Sequence, residues 1–306
     1  MKGACLWTIV LIAAAMLGGC AGSPSRSSHH EGVIARTRDV LRTPFRDDRD
    51  DTSRPQSSRY RQQADSTPDG GGIDIASIPE PVPQSEPLSR YGNKSPYNVL
   101  GQTYYVLPTA AGYDERGIAS YYGTKFHGYM TSDFEKYDMY AFTAASKVLP
   151  LPSYARVTNL ENGRSVIVRV NDRGPFAPNR IIDLSYAAAV RIGIWPKGTG
   201  LVEVQGIDPA RENVEPAPPP VVTAQSAGKP KLYLQVGAFG DPANAQRLAD
   251  QLRAQDLGAI RVVDAQVGGR DLKRVQIGPL ADVDEADRVT QKIDALGLPH
   301  AQVAVQ

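Results

Sequence analysis

Apolar and polar residues alternate most regularly towards the C-terminal end. Leu232, Leu234, Val236 and Ala238 fall on one side of an extended strand, and Tyr233, Gln235 and Gly237 on the other. Around Lys273–Ile277 the pattern returns, with Val275 and Ile277 opposing Arg274, Gln276 and Gly278. Ile260 to Val263 and Gln302 to Val305 read as further strands. Between them, Pro242 to Ala254 carries Ala245, Leu248 and Leu252 at helical spacing, and Val283 to Leu296 reads as a second helix. The order β-α-β-β-α-β over 231–306 predicts a four-stranded sheet with both helices on one face. The apolar rows must then meet the helices. Tyr233, Gln235, Arg274 and Gln276 are left on a face with no covering layer. Their flat ring, amides and guanidinium suit a sugar polymer, and an antiparallel sheet also commonly leaves such a face to solvent.

Upstream, residues 99–208 alternate β-rich runs with turns. Ala155 to Asn159, Ser165 to Val170 and Leu201 to Val204 read as strands. Leu184, Ala188 and Ile192 fall at helical spacing and predict one amphipathic helix over Ile182 to Ile192. The run Val168-Arg169-Val170 ends abruptly in Asn171-Asp172-Arg173, followed by Gly174-Pro175-Phe176. An Asp at a strand end beside a turn is placed to face a cleft. The same residue serves equally well as a turn acceptor with Arg173 or Arg180 as its ionic partner. Glu135, close to Asp133 and Asp138, is a second candidate carboxylate, in a charged cluster that also suits a solvated loop.

Residues 20–98 and 209–230 read as linkers. Arg46 to Arg61 is dense in Arg, Asp, Ser and Gln, and Asp69-Gly70-Gly71-Gly72 and Pro79 to Pro87 are rich in breakers. Such stretches bury too little apolar surface to offset chain entropy. A flexible tether of that length has a relaxed span of roughly 50 Å. Glu215 to Pro220 is expected to be extended and stiff. At the N-terminus, Lys2, the apolar run Leu6 to Leu17 and then Gly18-Gly19-Cys20 follow the order of a secretory leader, and the run is short for a bilayer span.

Leu17-Gly18-Gly19-Cys20 resembles a lipobox. That resemblance implies removal of residues 1–19, loss of Cys5 with them, and acylation of Cys20. A mature chain of that kind has no free thiol, which excludes thiol chemistry and cysteine metal sites. Several acyl chains would anchor it stably in a bilayer. Ala21, where an Asp is absent, favours the outer membrane by analogy with enterobacterial sorting. Lys plus Arg number 34 and Asp plus Glu 33, a balance that argues against nucleic acid as a partner. The four His residues are scattered with no metal-ligand spacing, and no cofactor is expected.

Leu234 to Phe239, Asn244-Ala245 with Leu248, and Arg274 to Pro279 resemble a SPOR domain, a family that binds septal glycan strands stripped of stem peptides. Gly117 to Gly123, Phe126-His127-Gly128, Thr143-Ala144-Ala145, Leu149 to Ser153, Val157 to Leu160 with Asn162-Gly163, Asn171 to Phe176 and Ile182 to Ser185 resemble the rare lipoprotein A family. The resemblance implies a double-psi β-barrel followed by a βαββαβ SPOR domain. It also implies an endolytic lytic transglycosylase that cuts peptide-free glycan to 1,6-anhydro-muramyl ends. By motif position Asp172 matches the family's catalytic Asp and Glu135 its second acidic residue, with the division of acid and stabiliser between them left open. Arg173, Tyr233, Gln235, Arg274 and Gln276 are the expected substrate contacts. Ser146 stands where many relatives carry a functional His, and it cannot titrate near neutral pH. That departure keeps a second reading open, a non-catalytic lipoprotein that ties the outer membrane to septal peptidoglycan. Septal placement also brings division proteins within reach as partners.

Overall fold

The computed structural model describes residues 59–60, 64–68, 74–210 and 230–306. The expected leader, Cys20 and most of the Pro-rich linker lie outside the described residues. No helix among the described residues is long and apolar enough to cross a membrane.

A hairpin of β1 (Tyr97–Val99) and β2 (Gln102–Tyr104) precedes the first domain. Then β3 (Asp114–Tyr122), β4 (Thr143–Ser146), β5 (Ser153–Asn159), β6 (Ser165–Asp172), β7 (Arg180–Ser185) and β8 (Gly200–Ile207) close a barrel in the order β3-β7-β4-β6-β5-β8. Pairing is parallel at β3–β7 and β4–β6 and antiparallel elsewhere. Closure leaves no sheet edge unpaired. Inside sit Ala119, Ala144, Val168, Val170, Ile182 and Leu184, among others. The six-stranded barrel is the architecture expected from the sequence.

One expected element divides in two. Ile182 to Ile192 is a strand through Ser185 and a helix, α1 (Tyr186–Ile192), thereafter. Ile181 and Ile182 are β-branched and sit easily in a strand, and β7 pairs with neighbours on both sides. Ser185 marks the switch, because its hydroxyl accepts from the Ala188 N–H as the helix N-cap. Gly193, at φ 76°, ends the helix in a left-handed conformation.

Residues 74–98 were expected in the tether and instead lie along the barrel. Glu86 receives the Arg169 guanidinium (Nη2–Oε2 2.8 Å) and the Tyr154 hydroxyl. Asn93 donates to the Leu151 carbonyl at 2.6 Å and accepts from the Leu151 N–H at 2.8 Å. Too polar to build a core of its own, the segment satisfies its polar groups on a neighbouring surface.

The second domain runs β9 (Leu232–Phe239), α2 (Pro242–Arg253), β10 (Ile260–Val267), β11 (Arg270–Leu280), α3 (Val283–Ala295) and β12 (Gln302–Val305). Its sheet is antiparallel in the order β10-β11-β9-β12. Ala245, Leu248 and Leu252 of α2 and Val283, Ala286 and Ile293 of α3 are buried against Leu232, Leu234, Val275 and Ile277. Val275 pairs with Gly237 and Gln276 with Gln235, so Val236 is an extra residue in β9. This bulge corrects the expected alternation: Ala238 is exposed opposite Arg274, and Phe239 packs against the core.

The domains touch. Ile118 and Leu201 of the barrel are buried in the apolar cluster of the second domain. Arg180 pairs with Asp287 at 2.6 Å, and Asn179 donates to Asp287 and to Thr290, each at 2.9 Å.

Candidate functional site

Ala145 on β4 is paired across the barrel wall with Asp172 on β6 and with Asp183 on β7. Asp183 is paired in turn with Ser120 on β3. Residues in one cross-strand row share a face. This row faces away from Ala119, Ala144, Ile182 and Leu184, which fill the core. Asp172 joins it only because Asn171 is an extra residue: Ala144 pairs with Val170, and Ala145 already with Asp172. Bulges of this kind re-aim a side chain, and here the bulge turns a carboxyl out of the barrel. Two strand spacings separate Asp172 from Asp183, roughly 10 Å between Cα atoms. The side chain between them is the methyl of Ala145.

The row forms part of the wall of a cleft of about 630 Å³, completed by Tyr122, Ser132, Phe134, Arg173 and Phe176. Burial pushes the Asp172 carboxyl above its ordinary value, and its hydrogen bonds offset that rise only in part. Its Oδ1 accepts from the Ser132 N–H at 2.8 Å, the Ser132 hydroxyl at 2.6 Å and the Arg173 N–H at 2.8 Å. Asp183 is held differently. Burial pushes it up to about 7, with only the Ser120 hydroxyl and Arg180 opposing. Its buried Oδ1 has no hydrogen-bond partner.

Glu135 does not line this cleft. Its Oε2 accepts from Arg169 at 2.6 Å and from the bulged Asn171 at 3.0 Å. Burial pushes Glu135 up, but Arg169 and Asn171 outweigh it and hold the carboxyl below its usual range. Glu135 thus meets Asp172 only indirectly, through the residue next to it in the chain. Ser146 is buried, and its hydroxyl accepts from the Val148 and Leu149 N–H groups at 3.3 and 3.2 Å. That hydroxyl bonds its own turn and reaches no carboxylate.

Arg173 lines the cleft, yet its guanidinium is spent on structure. It donates to the Gly92 and Ser146 carbonyls at 2.7 and 2.9 Å, and to Leu149 and Asn93. The expectation that it binds substrate is corrected to that extent: its charge faces the cleft, but its donors hold the loops that frame it. Arg180, the other candidate partner of Asp172, is engaged with Asp287. His127 accepts from the Met139 N–H at 3.2 Å and packs edge-on against Tyr140. Its burial lowers its pKa.

On the second domain, one row crosses all four strands as Arg261, Gln276, Gln235 and Gln302. The expected open face is covered at two of its four positions, since Tyr233 is 3% exposed and Gln276 0%. Arg261 is the cover. Its guanidinium lies 3.4 Å from the Tyr233 ring centroid, and it donates to Gln276 at 2.7 and 3.0 Å and to Gln306 at 2.6 Å. Gln235 and Arg274 remain partly exposed beside it.

Sequence reasoning passed over two of these residues. Asp183 lay inside a stretch read as helix, where its aim into a cleft was invisible. Arg261 lies on a strand, Ile260 to Val263, whose short run carries no sign of a binding position, and its reach across the sheet depends on strand order.

Residues 114–205 match the family model described as lytic transglycolase, and residues 228–304 the SPOR domain model. The endolytic peptidoglycan transglycosylase RlpA of Pseudomonas aeruginosa is 39% identical over 275 residues, 74% of this chain and 80% of the relative. Its Vibrio cholerae namesake is 39% identical over 252 residues, covering 79% and 88%. Among solved structures, the RlpA SPOR domain of Pseudomonas aeruginosa is 30% identical, covers 24% of this chain and 96% of that one, and superimposes with a TM-score of 0.23.

Proposed function

The chain belongs to the RlpA family of endolytic peptidoglycan transglycosylases, and on that premise we propose that its barrel cleft cuts peptide-free glycan strands to 1,6-anhydro-muramyl ends. The protein is an endolytic transglycosylase of peptidoglycan and carries a SPOR domain suited to the septal periplasm. The finer reading is that the SPOR sheet holds denuded strands while the barrel cleaves them. In that reading Cys20 is acylated and anchors the chain in the outer membrane, with division proteins nearby.

The observation that carries the reading is the outward row on the barrel, with Asp172 in the cleft. Cleavage without water needs three things. The glycosidic oxygen must gain a proton, the muramyl 6-hydroxyl must attack C1 and lose one, and the positive charge on the sugar must be stabilised. The attack is intramolecular, so no water has to be positioned. A carboxyl can donate the first proton and accept the second. A fixed carboxylate lowers the energy of the oxocarbenium-like transition state. Asp172 is well fixed by three donors. Glu135, tied to Arg169 and Asn171, supports the bulge that aims Asp172 and acts on the chemistry from outside the cleft.

The test is digestion of amidase-treated glycan strands by the full chain, with products read by mass spectrometry. Anhydro-ended fragments from wild type and none from Asp172→Asn are expected. A folded wild type that binds the strands and cleaves none would replace this reading with the wall-tethering one.

A further inference from the structure

The cleft holds a second carboxyl, which lies in the Ile182 to Ser185 motif and has no role assigned there. Asp183 stands on the same outward row as Asp172, with only the Ala145 methyl between them. Burial raises both, but they are supplied with donors unequally. Three donors converge on one oxygen of Asp172 and favour its charged form. Asp183 has a buried oxygen with no donor, and among the described residues it is the one carboxyl oxygen among the few buried side-chain atoms left unpaired. A buried carboxylate with one oxygen left unpaired is costly, and the neutral acid is the form that burial favours. When two carboxyls share a cleft and only one is well supplied with donors, the poorly supplied one is the better placed to keep its proton and act as the acid.

We propose that Asp183 is the proton donor of the cleavage reaction, and that Asp172, beyond Ala145 on the same wall of the cleft, is the carboxylate that stabilises the developing charge. This rests on the transglycosylase reading above and deepens it. Asp183 gives its proton to the glycosidic oxygen as the bond from muramyl C1 to that oxygen breaks. The muramyl 6-hydroxyl oxygen then bonds to C1, and its proton passes to Asp183, which is restored. No water, metal or oxidant enters. Ala145 matters because a larger side chain there would fill the space where the sugar must sit between the two carboxyls.

The groups facing Asp183 agree with that role. Asp65 and Asp172 raise its proton affinity, while Ser120 and Arg180 lower it. Tyr122 and Tyr137 lie within electrostatic reach and are themselves pushed far up by burial, so both stay neutral. Arg180 is shared with Asp287, which dilutes its pull on Asp183. With Asp183 raised to about 7, enough of it is protonated near neutral pH to act as an acid.

The experiment compares two substrates on the full chain. One is the natural peptide-free strand. The other is a peptide-free oligomer with a nitrophenyl group on its terminal muramyl C1, whose phenolate leaves without needing a proton. Asp183→Asn should lose at least about a hundredfold on the strand and keep most of its rate on the aryl oligomer. Asp172→Asn should lose both. Equal loss on the two substrates with Asp183→Asn, or no loss on either, would overturn the assignment. Ser120→Ala guards against an Asp183 variant that fails to fold. It keeps both carboxyls and removes a group that lowers Asp183, so the alkaline limb of the pH–rate profile should move up. A limb that stays in place overturns the proposal as well. A wild-type chain that cleaves neither substrate overturns both this inference and the reading it rests on, whereas a wild type that cleaves with Asp183→Asn equal to it overturns this inference alone.

Discussion

The two domains use the same backbone device and leave opposite electrostatic results. In each, one extra residue in a strand turns the following side chain to the other face: Asn171 in β6 and Val236 in β9. On the barrel, the outward row gathers acids and leaves a buried carboxyl oxygen of Asp183 without a donor. On the SPOR sheet, the outward row gathers amides beneath one guanidinium, which stacks on Tyr233 and bonds Gln276 and Gln306. Poorly satisfied buried polar groups mark a place where chemistry gains from a shifted proton affinity. On the SPOR face the unpaired buried atom is the neutral Gln276 Nε2, which carries no proton to give, so that face can be held flat for a long ligand. The contrast teaches that one surface is built to react and the other to hold.

The largest effect should come from the reacting surface. Asp172→Asn keeps the shape of the side chain and removes its charge. The rate of strand cleavage should fall by about a hundredfold to ten-thousandfold, with strand affinity measured by pull-down unchanged. Loss of affinity together with rate would erase the division of labour between the two domains.

Stability should also respond to the barrel's unsatisfied acid. The folded-state pKa of Asp183, about 7, lies above its ordinary value of 3.8. Between those values the native chain holds a proton that the unfolded chain has released. Stability therefore falls as pH rises through that window, and the full penalty is present above it. Asp183→Asn cannot ionise and escapes the penalty. At about 1.4 kcal/mol per pKa unit, the variant should unfold at higher denaturant concentration than wild type at pH 8. The gap should shrink towards pH 4. A variant less stable than wild type at pH 8 would mean that the carboxylate has partners in solution that lower its cost.

Most of the fold was legible in the sequence, and the parts that were not share a cause. The SPOR strands and helices followed from alternation and helical spacing, and several barrel strands from β-branched runs between turns. Ile182 to Ile192 misled because Leu184, Ala188 and Ile192 fit a helical period while Ile182 and Leu184 also fit a strand, and a short apolar run cannot separate the two. The bulges were invisible, since one inserted residue leaves composition unchanged and reveals itself only in the pairing. Asp172 was found by motif, but its outward aim came from Asn171. Residues 74–98 looked like tether because Glu86 meets its partner Arg169 only across the fold. Arg261 was missed for the same reason, with contacts on three other strands or their ends.

A smaller effect belongs to the holding surface. Arg261→Ala uncovers Tyr233 and leaves the Gln276 carbonyl oxygen without its donors. A stacked guanidinium contributes on the order of 1 kcal/mol to holding that face in shape, so the denaturation midpoint of the domain should fall and affinity for denuded strands should drop with it. Cleavage of short oligomers that occupy only the barrel cleft should be unaffected. Unchanged strand affinity would mean that the ligand contacts Gln235 and Arg274 at the exposed part of the face and ignores the covered row.

The smallest effect is expected at Ser146, and it sharpens the boundary of the reacting surface. Its hydroxyl serves two backbone N–H groups of the following turn, at 3.2 and 3.3 Å, and meets neither Asp172 nor Glu135. Ser146→Ala strands those two donors, at a cost of about 1 kcal/mol, visible as a lower denaturation midpoint. The rate on peptide-free strands should not change, because the chemistry is placed one residue earlier in the chain, on the row that Ala145 shares with both acids. If the midpoint holds and the rate falls, the hydroxyl takes part in the reaction, and the line between framework and chemistry must be redrawn to include the strand end that carries it.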